Sequence, residues 1–191
     1  MFVRAADLLT QKLEENDIIS SEQYEICRFG FRLGLTIILN LITVIVIGAS
    51  MSELGPALLF MALYIPLRSN AGGYHAQTAI RCYVFSIFLM IAFLLAMKHL
   101  FISRFICVII NILSFIVIFA FAPVEDKNKP LDQMEQCVYR KRTRIVLIVE
   151  SIIMIVGVIL DTKTIYLCST WNIIIMSAIL LIGKWKNHLM R

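Results

Sequence analysis

Six apolar runs separated by short polar segments leave this chain few ways to fold: residues 33–49, 54–67, 83–97, 105–122, 145–160 and 165–182. A run of that kind buries its side chains in any apolar medium. Its peptide groups, however, must find hydrogen bonds within the segment itself if that medium is lipid, which selects helices. With 60% hydrophobic and only 16% charged residues among 191, and a mean hydropathy of +0.84, too little polar surface exists to cover a water-soluble globule of this size. The expected fold is all-α: a polytopic membrane protein of about six transmembrane helices. Several runs are shorter than the roughly 20 residues that cross a bilayer upright, so flanking residues must extend them or the bilayer must thin. The run 54–67 leads straight into polar sequence, and a partial or re-entrant span is compatible with it.

The placement of cations tests this reading independently. With six spans, 15 of the 18 Lys and Arg residues fall on one side of the membrane and 3 on the other. The positive-inside rule then assigns both termini, the polar segment 68–82 and the segment 123–144 to the cytoplasmic side of a plasma membrane. Deleting the second span would put the most basic loop outside. No cleavable signal peptide is expected, because residues 1–32 are charged and amphipathic without an apolar core. Phe2, Ala6, Leu9 and Leu13 share one helical stripe, opposite Arg4, Asp7, Lys12, Glu14 and Glu15. The stripe suits an amphipathic helix lying in the inner interface, and equally one packed on the protein's own loops. Ser20 and Gln23 have the spacing of a capping box ahead of the first span. The chain is read as one integral membrane domain, with an amphipathic segment 1–32, a transmembrane region 33–182 and a basic tail 183–191.

Chemistry concentrates in the one polar stretch that interrupts the apolar pattern, Arg68-Ser-Asn-Ala-Gly-Gly-Tyr-His75 and onward to Arg81-Cys82. A cysteine becomes a nucleophile when a nearby imidazole takes its proton and the surroundings favour the thiolate. His75 and Cys82 are candidates for base and nucleophile. If the segment from His75 continues as helix into the third span, the two lie seven residues apart on one face, with Cα atoms roughly 10 Å apart along the axis. By spacing alone, a polar helix cap and an interior cysteine fit as well. Gly72 and Gly73 mark a backbone break. Arg68, Asn70, Gln77 and the amides of residues 72–75 are candidates to hold a substrate carbonyl or a developing oxyanion. The five cysteines, Cys27, Cys82, Cys107, Cys137 and Cys168, contain no CxxC pair and are expected as free thiols. His99 and His188 have no ligand-like neighbours, so neither a metal nor another cofactor is expected.

Glu150 is the one acid inside an apolar run, and such a charge is either functional or paired, here with Arg142 or Arg144. Asn40, Asn111 and Asn172 are expected to make hydrogen bonds between helices. The segment 123–144 carries six basic residues, including Lys127, Lys129 and those between Arg140 and Arg144. It suits lipid headgroups and serves equally as a dock for an acidic peptide. No nucleic-acid partner is expected.

The stretch 68–82, taken with a second block, Ala122-Pro-Val-Glu-Asp-Lys-Asn-Lys-Pro-Leu131, resembles the accessory gene regulator B (AgrB) family, the membrane-embedded cysteine peptidases of Gram-positive quorum sensing. Chain length, span number and the amphipathic N-terminus agree with it. The resemblance implies that Cys82 is the nucleophile and His75 its base. It also implies an AgrD-like propeptide substrate with an amphipathic leader and an acidic tail, cleavage coupled to closure of a thiolactone or lactone, and a homodimer. The contrasting expectation is a non-enzymatic membrane component that binds or exports a peptide, with His75 and Cys82 structural.

Overall fold

The computed structural model describes residues 2–20, 22–74, 78–100, 102–125 and 131–189, and among these it contains seven helices. They are α1 (Phe2–Glu15), α2 (Tyr24–Ser50), α3 (Leu54–Ala71), α4 (Ala79–His99), α5 (Arg104–Phe121), α6 (Gln133–Ile159) and α7 (Lys163–Leu189). Each of the six apolar runs lies in its own helix, α2 to α7, with Ala122 and Leu160 as the C-caps of α5 and α6. Four helices are long and apolar enough to cross a membrane: Tyr24–Ser50, Ile80–His99, Arg104–Phe121 and Lys163–His188. The other two fall short for visible reasons. α3 ends in Pro66, Arg68, Ser69 and Asn70, and the first three turns of α6 are charged.

The chain divides into two compact units, residues 1–47 and 48–191. In the first, α1 is tied to α2 by Asp7, whose carboxylate accepts from Arg28 Nε at 2.6 Å and lies 3.6 Å from Arg32. Ala6 and Thr10 of α1 are buried, whereas Leu9, placed on the apolar stripe, is 42% exposed. Ala6, on the stripe, is thus packed, while Leu9 is not. The Gln23 side chain takes the Ser20 N–H at 3.2 Å, the returning half of a capping box ahead of α2. Asn40 bonds to the Thr36 carbonyl of its own helix, not across helices. Many apolar residues of α2, among them Ile38, Ile42 and Val46, are exposed.

The Asp7 carboxyl is held below its usual pKa of 3.8, chiefly by the hydrogen bond from Arg28, which outweighs the opposing effect of burial, and to a lesser degree by the charges of Arg28 and Arg32. A depressed carboxylate pKa contributes stability that is complete above the unfolded value and is lost as pH falls through the lowered one. The protection of the amides of residues 2–15, taken relative to their intrinsic exchange rates at each pH, is therefore expected to be unchanged between pH 7 and 5 and to fall below about pH 4. Asp7→Asn should show the lower protection at pH 5 to 7, with the difference shrinking as Asp7 protonates.

In the second unit, α3, α5, α6 and α7 pack around a core of Leu67, Ala71, Ile118, Leu147, Ile173 and Met176, and α4 lies against α3 and α7. A second cluster, Cys107, Met154, Tyr166 and Leu167, closes the opposite end. Arg104 meets Asp161 at 3.3 Å, and the Cys168 thiol approaches the Pro56 carbonyl at 3.9 Å, so the starts of α3, α5 and α7 share one end. The ends of these three helices share the other. That alternation matches the charge pattern, which groups 68–82, 123–144 and the C-terminal residues together.

Polar groups inside this bundle pair across helices. Asn111 Nδ2 donates to Thr170 Oγ1 at 3.0 Å, and Asn172 Nδ2 donates to Glu150 Oε1 at 2.5 Å. Glu150 is 2% exposed and its partner is this amide, not Arg142 or Arg144. Arg144 turns instead over the Phe119 ring, 4.2 Å from its centroid. An uncharged donor on the neighbouring helix was closer than a cation one or two turns away.

Candidate functional site

Two sequence blocks far apart in the chain meet where α3 and α5 end. Gly73 N–H donates to Val124 O at 3.0 Å and Val124 N–H to Ala71 O at 3.0 Å, a two-bond parallel bridge between Gly72 and Val124. Tyr74 N–H then donates to Ile179 O of α7 at 3.1 Å. Gly72 has φ +70° and ψ −137°, a backbone region open essentially to glycine alone. A Cβ there would sit 2.2 Å from Val124 O. Gly183 of α7 serves the same junction from below, since a Cβ on it would lie 2.6 Å from Tyr74 N and 2.8 Å from the Gly73 carbonyl carbon.

Arg68, in the last turn of α3, secures the turn that follows. Its guanidinium donates to the Gly72 and Tyr74 carbonyl oxygens, satisfying acceptors that the end of a helix leaves free. It is thus committed to the backbone, whereas the sequence offered it as a substrate or oxyanion ligand. The Tyr74 ring meets Phe85 of α4 edge-on, centroids 6.1 Å apart, and carries Lys186 Nζ 4.9 Å above its face. The glycine-tyrosine segment is in this way held between α4 and α7.

Cys82 lies in the first turn of α4 and is exposed. Thr78 caps that helix, with extended dihedrals (φ −131°, ψ 149°) and its side chain accepting Arg81 N–H, and the Cys82 N–H bonds to Thr78 O at 3.0 Å. The helix therefore starts at Ala79 and does not run back to His75, which corrects the continuous-helix expectation. A hydroxyl cap competes better for the free N–H groups than one more helical turn through the glycine break. The axial separation derived for two residues on one helix does not apply. His75, Gln77, Lys127 and Lys129 lie outside the described residues.

A cavity of about 280 Å³ opens beside the bridge, lined by Tyr64, Arg68 and Asn70 of α3, by Gly72, by Glu125 of the second block and by Tyr139 of α6, among others. It brings Arg68, Asn70 and Gly72 together. Gly73 is buried behind them, and Cys82 is not part of the wall. Asn70 Nδ2 is engaged by the Pro66 carbonyl at 2.7 Å. A second cavity of about 270 Å³ shares Glu125 and Leu131 and adds Gln136, Lys184, Asn187 and His188. Glu125 links the two: its carbonyl accepts from Asn187 at 2.7 Å and its carboxylate from the Leu131 N–H at 3.3 Å.

Sequence reasoning passed over Tyr64, Tyr139, Gly183 and Asn187. Tyr64 could have been found, because it precedes Arg68 by one helical turn. Nothing within the apolar run 165–182 or the tail after it announces that Gly183 underlies Tyr74. The basic residues Arg140, Lys141, Arg142 and Arg144, placed in a loop by their composition, are helical. Asp132 and Glu135 form a reciprocal capping box that starts α6 at Gln133.

The sequence pattern of the family described as Accessory gene regulator B matches residues 6–181, and this chain belongs to that family. Two AgrB-like proteins of Clostridium perfringens are similar to it. The one from strain SM101 / Type A is 26% identical over 138 residues, 69% of this chain and 64% of that protein. The one from strain 13 / Type A is 25% identical over the same coverage of each chain. The match therefore spans less than two thirds of either relative's length. No solved structure matches the chain.

Proposed function

We propose that this chain is the membrane-embedded cysteine endopeptidase of an agr-type quorum-sensing system, which cleaves an AgrD-like propeptide and closes it to a thiolactone or lactone. The observation that carries this reading is the bridge from Gly72 to Val124, which joins the two sequence blocks characteristic of the family and continues into Tyr74, packed on Phe85 of the helix whose first turn bears Cys82. In this reading α2 to α7 make six spans, α1 rests in the inner interface with Leu8 and Leu9 toward lipid, and Cys82 faces the cytoplasm. The protein works as a homodimer, and the cations at the start of α6 contact lipid headgroups or the acidic tail of the substrate.

The chemistry follows from the groups available. His75 takes the Cys82 proton, and the thiolate attacks the carbonyl that ends the signal block, moving the C=O π pair onto oxygen. The tetrahedral adduct collapses, the C–N bond breaks, and His75 returns the proton to the departing amine. Cys82 is left as a thioester. A thiol or hydroxyl within the same precursor then displaces it and restores the free thiol. Amide to thioester is uphill, whereas thioester to thiolactone is a nearly even exchange, so the bond energy is conserved only if water is kept out. The first turn of α4 adds the positive end of a helix dipole beside the sulfur.

The test is to trap the thioester. The chain in lipid nanodiscs, mixed with its precursor and quenched in acid, is expected to carry on Cys82 a fragment equal to the precursor without its tail. Neutral hydroxylamine should release it. Accumulation of cyclic product with Cys82 never modified would overturn the reading.

A further inference from the structure

We propose that Tyr74 is the positioning residue that sets the reach between His75 and Cys82, a reading that rests on the assignment of those two as base and nucleophile. Tyr74 ends the glycine junction and directly precedes His75 in the chain. Its backbone is held on both sides: the N–H donates to Ile179 O of α7 at 3.1 Å, and the carbonyl accepts from the Arg68 guanidinium of α3. The carbonyl of the peptide bond that leads to His75 is thus fastened to α3.

The side chain carries this fixed point across to the helix of the nucleophile. The Tyr74 ring meets Phe85 with centroids 6.1 Å apart and planes at 61°, within the range of a favourable edge-to-face pair. Lys186 Nζ of α7 stands 4.9 Å over the face of the same ring, close enough for a cation–π attraction. Two helices therefore set the direction of the ring. Phe85 follows Cys82 by one turn, on the same side of α4.

The height of this contact on α4 decides what it does. Among the described residues of α4, the buried ones are Met90, Phe93 and Leu94. Even Met90 lies about 12 Å beyond Cys82 along the axis. A tilt of only about 5° around that point would carry the first turn through about 1 Å. Where two groups must meet to react, a displacement of that size costs roughly 10²-fold. The Tyr74–Phe85 contact opposes the tilt within one turn of the sulfur. It does so from the residue to which His75 is joined, so base and nucleophile are referred to a single anchor.

Tyr74→Leu removes the ring and leaves the backbone contacts. In nanodiscs with the AgrD-type precursor, thioester formation on Cys82 is expected to slow by about 10- to 10²-fold with the KM for precursor unchanged, because the loss falls on the meeting of the two groups and not on binding. Alkylation of Cys82 by iodoacetamide at pH 7 should slow as well. In a His75→Ala background, Tyr74→Leu should slow it no further, since the ring acts through the imidazole. Tyr74→Phe keeps both ring contacts and is expected to bring the thioester rate back to within about threefold of the unmodified protein. Phe85→Leu breaks the contact from the α4 side and should reproduce the loss, so it carries the test if Tyr74→Leu does not accumulate in the membrane. A thioester rate above about a third of the unmodified one in either Leu variant would overturn the proposal. So would an undiminished effect of Tyr74→Leu on alkylation in the His75→Ala background, which would make the ring a support for α4 alone. Unchanged cleavage and alkylation in His75→Ala would overturn this proposal together with the base assignment, whereas the first two results leave that assignment standing.

Discussion

Cys82→Ala is expected to abolish precursor cleavage while the protein still accumulates in the membrane. Cys82 is exposed in the first turn of α4 and contributes no core packing, so its loss should leave helix and cap intact. Removal of a nucleophile that works as a unit with its base lowers turnover on the order of 10⁴-fold or more, and His75→Ala should fall in the same range because neither group acts without the other. Cys82→Ser should retain little, since an alkoxide is far harder to generate than a thiolate. Cys27→Ala and Cys137→Ala, on helix surfaces, should cleave normally. Immunoblots of co-expressed precursor, with membrane-fraction levels of each variant alongside, read all of these.

Gly72→Ala is expected to be nearly as damaging without touching any reacting group. The substituted residue would have to hold φ +70° with ψ −137°, at a cost of about 1–3 kcal/mol for the backbone alone. Its Cβ would also stand 2.2 Å from Val124 O, so the bridge must open. Once it opens, the two blocks separate and the Arg68 contacts to Gly72 and Tyr74 go with them. A displacement of about 1 Å at a catalytic constellation costs roughly 10²-fold in rate, and that is the loss expected in the cleavage assay. Because this defect lies at the junction, iodoacetamide labelling of Cys82 should change too. Thermal stability in detergent should fall for Gly72→Ala and hold for Cys82→Ala.

Much of this architecture was legible because the signals were periodic or compositional. All six apolar runs lie in helices, and the cation count sorted the loops of the second unit onto the ends where contacts such as Arg104–Asp161 put them. Asn111 and Asn172 bond across helices, as buried amides must. What escaped were features set by tertiary partners. Composition made the Arg140–Arg144 cluster look like loop, because a charged helix and a charged loop differ only in their caps, and the cap here is an Asp132–Glu135 pair more than one turn upstream. Helical spacing joined His75 to Cys82, but spacing carries no information about where a helix begins, and Thr78 begins it later. Glu150 was matched to cations by sequence proximity, while its partner Asn172 is a neighbour only after α6 and α7 pack. Gly72 was visible as a break, but not as one half of a bridge whose other half is some fifty residues away.

The segment between Glu125 and Leu131 has both its anchor points fixed by the rest of the protein: Val124 by the bridge, Glu125 by Asn187, and Leu131 by the Glu125 carboxylate. A stretch fastened at both feet can be lengthened cheaply, since each doubling of a loop adds only about 0.6 kcal/mol of closure entropy. New residues can therefore be grafted between those feet while the glycine junction underneath stays as it is.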